Sequence, residues 1–401
     1  MKKTFFSILL ILCLVLASCS NGNNVEFTEK NETQVPLTNN IQEVPEEKVD
    51  YKKISFLGAG DNIVYFGTVR DAQRNGTPDG RKYNFKPIYS EVADLIKNAD
   101  VSFINQETLM CGDGYQFSYY PFFNGPQDMG HDLVELGFDV VGMANNHMLD
   151  KGNAGLEKTI DFWKTLPVTI TGGYKTKDDY SNITVHESNG IKIAFLSYTE
   201  HTNGNGSSSK YGTYIPYLKN ANIAEEVARA KEKADLVFVS VHWGEEGTFK
   251  PNNFEKEYAK KFADAGVDVI LGHHPHVIQP VEWIEGKNGN KTLCVYSLGN
   301  FMAEQAYAYN MVGGMITFDI VSVDGSKPDI ENVKFIPTVF DWGDGFYNNK
   351  VYLLEKYTSE QANKHGIGKY GRKTSLAQLR GYVSNTINDE FLPTSYLEAV
   401  K

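Results

Sequence analysis

Short β-branched and aromatic runs alternate along the middle of this chain with amphipathic stretches, a pattern that restricts it to an α/β fold. Strands are predicted over 53–57, 101–104, 139–143, 191–197, 236–241, 267–271 and 293–297. Most are nearly continuous apolar runs, as expected of strands covered on both faces. Helices are predicted over 87–98, 128–136, 156–166, 223–234 and 254–265, with Gly137 and Gly266 as left-handed caps ending two of them. Beyond Phe301 the pattern changes: antiparallel strands are expected over 313–320 and 333–336, joined through Asp324-Gly325. The stretch 348–371 is polar and weakly patterned, and a terminal helix is expected over 375–388.

The residues just past each strand are more specific. The first strand leads into Gly60-Asp61, the second into Asn105-Gln106-Glu107, and the third into Asn145-Asn146-His147 with Asp150 close behind. Later strands lead into His242-Trp243-Gly244, into His273-His274-Pro275-His276, and into Leu298-Gly299-Asn300. Six strand ends carry polar, ligand-type residues, and the strand starts do not. Sites in parallel α/β sheets form outside the carboxyl ends of strands, where loops converge on a rigid scaffold. A single histidine after a strand is usually a hydrogen-bonded structural residue. Repetition at one end of so many strands points to a site.

Carboxylates, an Asn carbonyl and neutral imidazoles suit Zn²⁺, Mn²⁺, Fe or Mg²⁺, and the lack of thiolates disfavours a structural zinc site. His274 and His276 flank one proline and would serve two adjacent ions, with Glu107 or Asp61 as a bridging carboxylate. Such a pair, roughly 3.5–4 Å apart, clamps the attacking and leaving oxygens of an in-line displacement. His147 would then donate a proton to a leaving group, oriented by Asp150.

The N-terminus reads as an export leader. Lys2 and Lys3 precede an uncharged, mostly apolar stretch over 5–17, shorter than the roughly 20 residues of a membrane span. The leader closes Leu16-Ala17-Ser18-Cys19, which resembles the bacterial lipobox; the alternative is ordinary cleavage near Ala17 with Cys19 incidental. Residues 19–50 contain hardly any large apolar side chain and are expected to be a flexible tether. The expected organisation is therefore a leader over 1–18, a tether over 19–50, a site-bearing domain over 51–345 and a C-terminal extension over 346–401. The formal charge of −11, or −13 once Lys2 and Lys3 leave, argues against nucleic acid as a partner. Cys111 and Cys294 are too few for a disulfide framework and are expected to be free thiols.

The motifs over 54–301, taken in order, resemble the CapA family of poly-γ-glutamate capsule biosynthesis proteins. They are Gly60-Asp61, Asn105-x-Glu107, Gly137-Phe138-Asp139 through Asn145-Asn146-His147 and Asp150-Lys151-Gly152, His242-Trp243-Gly244-x-Glu246, Gly272-His273-His274-Pro275-His276, and Ser297-Leu298-Gly299-Asn300-Phe301. That family is in turn similar to calcineurin-like metallophosphoesterases. The resemblance implies a β-sandwich flanked by helices (αββα), with one or two divalent ions held by Asp61, Glu107, Asn146, His242, His274 and His276. His147 would aid the leaving group, and Asn105, Trp243, Glu246, His273 and Asn300 would stand around the rim. Two departures bear on this: Ile63 stands where a ligating His is usual, and Asn105-x-Glu107 replaces a Gly-Asp-x-x-Asp motif. One metal position is therefore expected to be weaker, differently selective or empty.

The implied setting is the outer face of a bacterial membrane, through a lipid anchor. A capsule or cell-envelope polymer would be the partner, with membrane capsule-synthesis proteins as further ones. The roles left open are metal-dependent hydrolase or transferase, non-catalytic capsule component, and polymer-binding lipoprotein. Aromatic residues over 115–123, with Tyr307 and Tyr309, would stack a sugar, hold a polymer, or cap the sheet edge as local core. Replacing Cys19 by Ala is expected to abolish incorporation of labelled palmitate in growing cells and to release the chain from the membrane fraction. Retention of both would exclude lipidation at this cysteine.

Overall fold

The computed structural model describes residues 50–76, 79–207 and 212–400; the leader, Cys19 and the tether up to residue 49 lie outside them. In chain order the strands are β1 (Tyr51–Asn62), β2 (Val101–Gln106), β3 (Val140–Gly142), β4 (Thr169–Thr171), β5 (Thr184–Ser188), β6 (Ile191–Thr199) and β7 (Leu236–His242). They continue with β8 (Val269–His273), β9 (Val281–Glu285), β10 (Lys291–Val295), β11 (Asn300–Met302), β12 (Val312–Val323), β13 (Asp329–Asp341) and β14 (Lys350–Leu353).

Two sheets result. The first runs β14-β13-β12-β1-β2-β3-β4 with β11 also pairing β1, and the second runs β5-β6-β7-β8-β10-β9. Pairing is parallel across β1-β2-β3-β4 and across β6-β7-β8-β10, so each sheet presents a row of strand carboxyl ends. The sheets meet through an aromatic seam. Phe56 of β1 lies 5.2 Å edge-on from Phe238 of β7, and Phe103 of β2 is 6.1 Å from Phe195 of β6.

Side-chain alternation decides which strand residues reach the interior between the sheets. In β7, Val237, Val239 and Val241 pack with Val227, Ala230, Ala259 and Phe262, under helices Ile223–Lys231 and Asn253–Ala265. The opposite parity, Leu236 and Phe238, joins the main core, and His242 follows in the same phase at the strand end. In β8, Val269 and Leu271 face that core and His273 continues the phase. The αββα sandwich implied by the family resemblance is thus present, with the polar strand ends delivered to one edge between its sheets.

The predicted strands are all found, with shifted ends, and so are the caps: Gly137 and Gly266 both adopt left-handed conformations, φ 110° and 84°. The β12–β13 connection also turns as expected, with Asp324 and Gly325 at φ 52° and 71°. Both Cys111 and Cys294 are free and buried. The helix expected over 87–98 is divided into a 3-10 turn, Lys86–Tyr89, and an α-helix, Ala93–Asn98. Most of its apolar face survives, since Ile88, Val92 and Ile96 are buried, but Leu95 is exposed. Apolar periodicity registers that face but not the hydrogen bonding that interrupts it.

The C-terminal stretch departs from its polar appearance. It opens with β14, which pairs with β13 from Thr338↔Leu353 to Asp341↔Lys350. The helix expected over 375–388 is Leu376–Ser384, and a further one, Thr394–Ala399, follows it. Short, half-buried elements resting on an existing sheet need little apolar periodicity of their own, which is why they escaped the pattern.

Chain crossings are very close at the site edge. A Cβ on Gly60 would lie 2.1 Å from the Gly299 carbonyl oxygen, and one on Gly272 only 1.9 Å from that of Tyr296. Either contact would force the crossing backbone away. Gly272→Ala is expected to lower unfolding stability by about 3 kcal/mol in urea titration; an unchanged midpoint would show that the crossing can give way.

Candidate metal centre

Asp61 occupies the middle of the site. The register of β1 shifts on either side of it, first against β2 and then against β11, so the carboxylate is turned out of the regular ladder. It is fully buried and satisfied from several directions. Asn105 Nδ2 donates to its Oδ1 at 2.9 Å, and the His274 backbone N–H donates to its Oδ2 at 3.3 Å. His276 Nδ1 stands 3.0 Å from Oδ2, and His273 Nδ1 stands 3.4 Å from Oδ1. Asn105 Nδ2 also reaches Glu107 Oε1 at 3.2 Å, tying the two carboxylates together.

A second knot adjoins the first. His242 Nε2 lies 3.0 Å from Asn146 Oδ1 and 3.1 Å from His274 Nδ1, while His242 Nδ1 is 3.9 Å from Glu107 Oε1. Ligand atoms of Asp61, Glu107 and His276 all lie within 4.8 Å of one another, and so do those of Glu246, His274 and His276. His276 belongs to both groups. The two loop histidines hold left-handed backbones, φ 98° at His274 and 55° at His276. Such conformations cost of order 1–3 kcal/mol each and cluster at functional sites.

The electrostatics are those of ligands awaiting a positive charge. Burial alone would raise the Asp61 carboxyl, but hydrogen bonds and charge from His273 and His276 hold it well below the ordinary range. Burial, then the Asp61 charge, push Glu107 well above its own. Burial and the neighbouring His274 lower His242; burial and His276 lower His274. His276 is raised: burial opposes protonation, but the Asp61 hydrogen bond and charge, with the Glu246 charge, together outweigh it.

A cation fits the side chains present. Glu107 Oε2, Asn105 Oδ1, His242 Nδ1, His273 Nε2 and Asn300 Oδ1 are buried without a hydrogen-bond partner. Where His242 Nε2, His274 Nδ1 and Asn146 Oδ1 converge, two neutral imidazole nitrogens and a carbonyl oxygen compete for very few protons. Buried groups left this way cost on the order of 1–3 kcal/mol each, a deficit that a divalent ion would relieve.

Next to the knot, His147 Nδ1 lies 2.7 Å from Asp150 Oδ2, which also accepts from the Phe123 N–H at 2.7 Å. Phe123 stands edge-on to the His147 ring at 4.7 Å. The expected catalytic pair and ligand set are therefore all at one place.

The expected rim is different. Trp243 is fully buried in the core beneath the second sheet's helices, donating from Nε1 to the Tyr296 carbonyl at 3.0 Å. It belongs to packing because, one residue past His242, it takes the opposite face. Asn105, His273 and Asn300 are buried too: Asn105 between carboxylates, His273 against Phe103 at 5.8 Å, and Asn300 donating to Gln305 Oε1 and the Asn310 carbonyl. Glu246 alone of this group is exposed, and it enters a ligand group rather than a rim. The Ile63 side chain is buried beside Phe123 and Ala303 and offers no donor.

Sequence reading missed His201, whose ring is edge-on to His274 at 5.1 Å, and Asn203. Asn203 Oδ1 accepts from Asn146 Nδ2 at 3.3 Å, and its Nδ2 lies 3.5 Å from His147 Nδ1. Both follow β6, a strand whose polar tail was legible but carries no motif. Glu304 was also missed: its carboxylate accepts from the N–H groups of Gly67 and Thr68 at the start of helix Phe66–Asn75.

Residues 54–305 match the family described as bacterial capsule synthesis protein PGA_cap. The chain is 33% identical over 190 residues to the PGA biosynthesis protein CapA of Bacillus subtilis (strain 168), covering 47% of this chain and 48% of that one. It is 33% identical over 247 residues to the capsule biosynthesis protein CapA of Bacillus anthracis, covering 60% and 59%. A probable polyglutamine synthesis accessory protein of Mycobacterium tuberculosis (strain ATCC 25618 / H37Rv) is 24% identical over 266 residues, 63% of this chain and 68% of that one. The chain thus spans 48% and 59% of the two CapA relatives. Among solved structures, the NAD nucleotidase NadN of Haemophilus influenzae superposes at a TM-score of 0.45 and 12% identity, over 87% of this chain and 59% of that one, a likeness too loose to carry any inference.

Burial pushes the Glu304 carboxyl up to about 8 despite its two backbone donors. A group raised in the folded state contributes stability that is whole below the ordinary carboxylate range and lost as pH rises through the folded value. In chelator, unfolding stability should fall as pH climbs from about 5 to 8, and Glu304→Gln should flatten that slope. An unaltered slope in the variant would assign the dependence elsewhere.

Proposed function

The chain belongs to the bacterial capsule synthesis protein family, and on that premise we propose that it is a metal-dependent phosphoesterase or phosphoryl transferase acting on a capsule or cell-envelope polymer, or on its phosphorylated precursor. The observation that carries the proposal is the pair of ligand groups sharing His276, with the His147–Asp150 pair beside them. A structural ion would need the ligands but not an oriented histidine at their margin.

Asp61, Glu107 and His276 would hold a divalent ion; Glu246 and His274, with His242 and Asn146 adjoining, would hold a second, His276 serving one of the two. A bound ion of this kind polarises a phosphoryl oxygen and offsets the charge that builds there. His147 does the protein's own part of the proton transfer. With Nδ1 committed to Asp150, Nε2 is the nitrogen that exchanges protons, and the carboxylate stabilises the imidazolium. In hydrolysis, water oxygen bonds to phosphorus and loses a proton to solvent, the bond to the leaving oxygen breaks, the His147 proton passes to that oxygen, and solvent reprotonates His147. Asn203 Oδ1 accepts from Asn146 Nδ2 and so orients the Asn146 carbonyl oxygen toward His242.

The location we propose is the outer face of the membrane, held by lipid on Cys19 with residues 20–50 as spacer, where membrane capsule-synthesis proteins would be partners. No helix among the described residues is long and apolar enough to cross a membrane.

A second reading has one specific observation in its favour, the donor-free Ile63 beside Asp61. With one position weakened, the ion would be structural and the chain a non-catalytic capsule component. Under the first reading, Mn²⁺-loaded protein hydrolyses p-nitrophenyl phosphate, EDTA abolishes this, and His147→Ala lowers kcat by about 10²–10³-fold. Asp61→Asn should empty the site by elemental analysis. Hydrolysis indifferent to His147, or normal polymer yield in cells carrying Asp61→Asn with His274→Ala, would favour the non-catalytic role.

A further inference from the structure

Beside the metal centre lies a cavity of about 440 Å³. Glu246 belongs to both, so whatever the ions hold extends naturally into it. The loop after β11 supplies one side of the cavity, and Asn310 ties it to the ligand loop by donating from Nδ2 to the His276 carbonyl at 3.0 Å.

The walls are aromatic: Tyr65, Tyr120, Tyr307 and Tyr309. Tyr307 and Tyr309 stack at 5.0 Å with 10° between their planes, and the Arg372 guanidinium lies 3.6 Å over the Tyr307 ring. Arg372 also donates to the Ala306 carbonyl, so the stack is braced from the C-terminal segment. Tyr120 is 77% exposed, a large apolar surface that folding leaves unused. The polar lining is Glu246, Glu304, Gln305 and Asn310, and the described lining residues include neither lysine nor arginine.

This combination selects by charge and by shape. The lining offers no lysine or arginine to pair with a polyanion, and the chain as a whole is at −11. A pyranose ring presents what the cavity lacks: apolar C–H faces for tyrosine rings and hydroxyl donors for carboxylate and amide oxygens. The volume lies inside the range of about 300–1,000 Å³ typical of small-molecule pockets. We propose that this cavity is a sugar subsite, binding a neutral hexopyranose ring of a cell-envelope glycan whose phosphoryl group is presented to the adjoining centre. The assignment of the phosphoryl rests on the phosphoesterase reading; the sugar affinity does not.

The test is isothermal titration of the full chain, in 0.15 M salt with and without EDTA, against cello-, chito-, malto- and mannotetraose and against poly-γ-glutamate. At least one neutral tetrasaccharide should bind in both conditions and poly-γ-glutamate should not displace it. Tyr307→Ala should weaken that binding tenfold or more, and Tyr307→Phe should restore it, which excludes misfolding as the cause. Failure of the whole neutral panel, displacement by poly-γ-glutamate, or equal affinity in Tyr307→Ala would each overturn the subsite. p-Nitrophenyl phosphate turnover by the unsubstituted chain gauges the centre separately. Its absence removes the phosphoryl assignment and leaves the sugar affinity standing on its own titration.

Discussion

A fully buried carboxylate, Asp61, organises this molecule's functional edge. An ionised acid out of water needs compensating charge and hydrogen bonds, and here they come from two distant chain segments at once. Asn105 arrives on the neighbouring strand, while His274 and His276 arrive from the other sheet. The ligand set therefore exists only while the sheets are in register with each other, and the aromatic seam of Phe56, Phe238, Phe103 and Phe195 holds that register. Core packing and site geometry are one constraint viewed from two ends.

The close crossing at Gly60 and Gly272 arises from the same requirement. After β10 the chain leaves the second sheet, passes over the strand ends and joins β1 of the first as β11. The Asp61 N–H donates to the Gly299 carbonyl at 2.9 Å, so the crossing both closes the sandwich and fixes the backbone that carries the carboxylate. Side chains at these glycines would push the crossing outward and widen the site. Strain at His274 and His276 is tolerated because the surrounding contacts over-determine their loop.

Much of this was readable from residue order. Apolar runs with polar ends located the strands and their functional edge, and the turn and cap glycines were legible because only a few residues adopt positive φ readily. Ligand types at the ends of β1, β2, β3, β7 and β8 pointed to divalent metal, and each of those residues lies at the cluster. Misreadings came from proximity in sequence standing in for proximity in space. Trp243 follows His242 but turns into the core, whereas Glu246, four residues beyond that histidine, comes back to the ligands. His201, Asn203 and Glu304 come from loops with no strong local pattern.

Strand alternation is local physics, so it is written into the chain: the phase that buries Phe238 also delivers His242 to the interior, wherever the strand comes to rest. Fold class, the edge on which chemistry gathers and the type of ligand all obey such local rules. Which of these side chains come within reach of one another does not. The grouping of His276 with Asp61 and Glu107 on one side, and with Glu246 and His274 on the other, depends on contacts between segments as far apart as 215 residues. The cavity walled by Tyr65, Tyr120, Tyr307 and Tyr309 likewise needs loops from both ends of the domain to meet. Long-range packing sets those distances, and no short-range pattern encodes them.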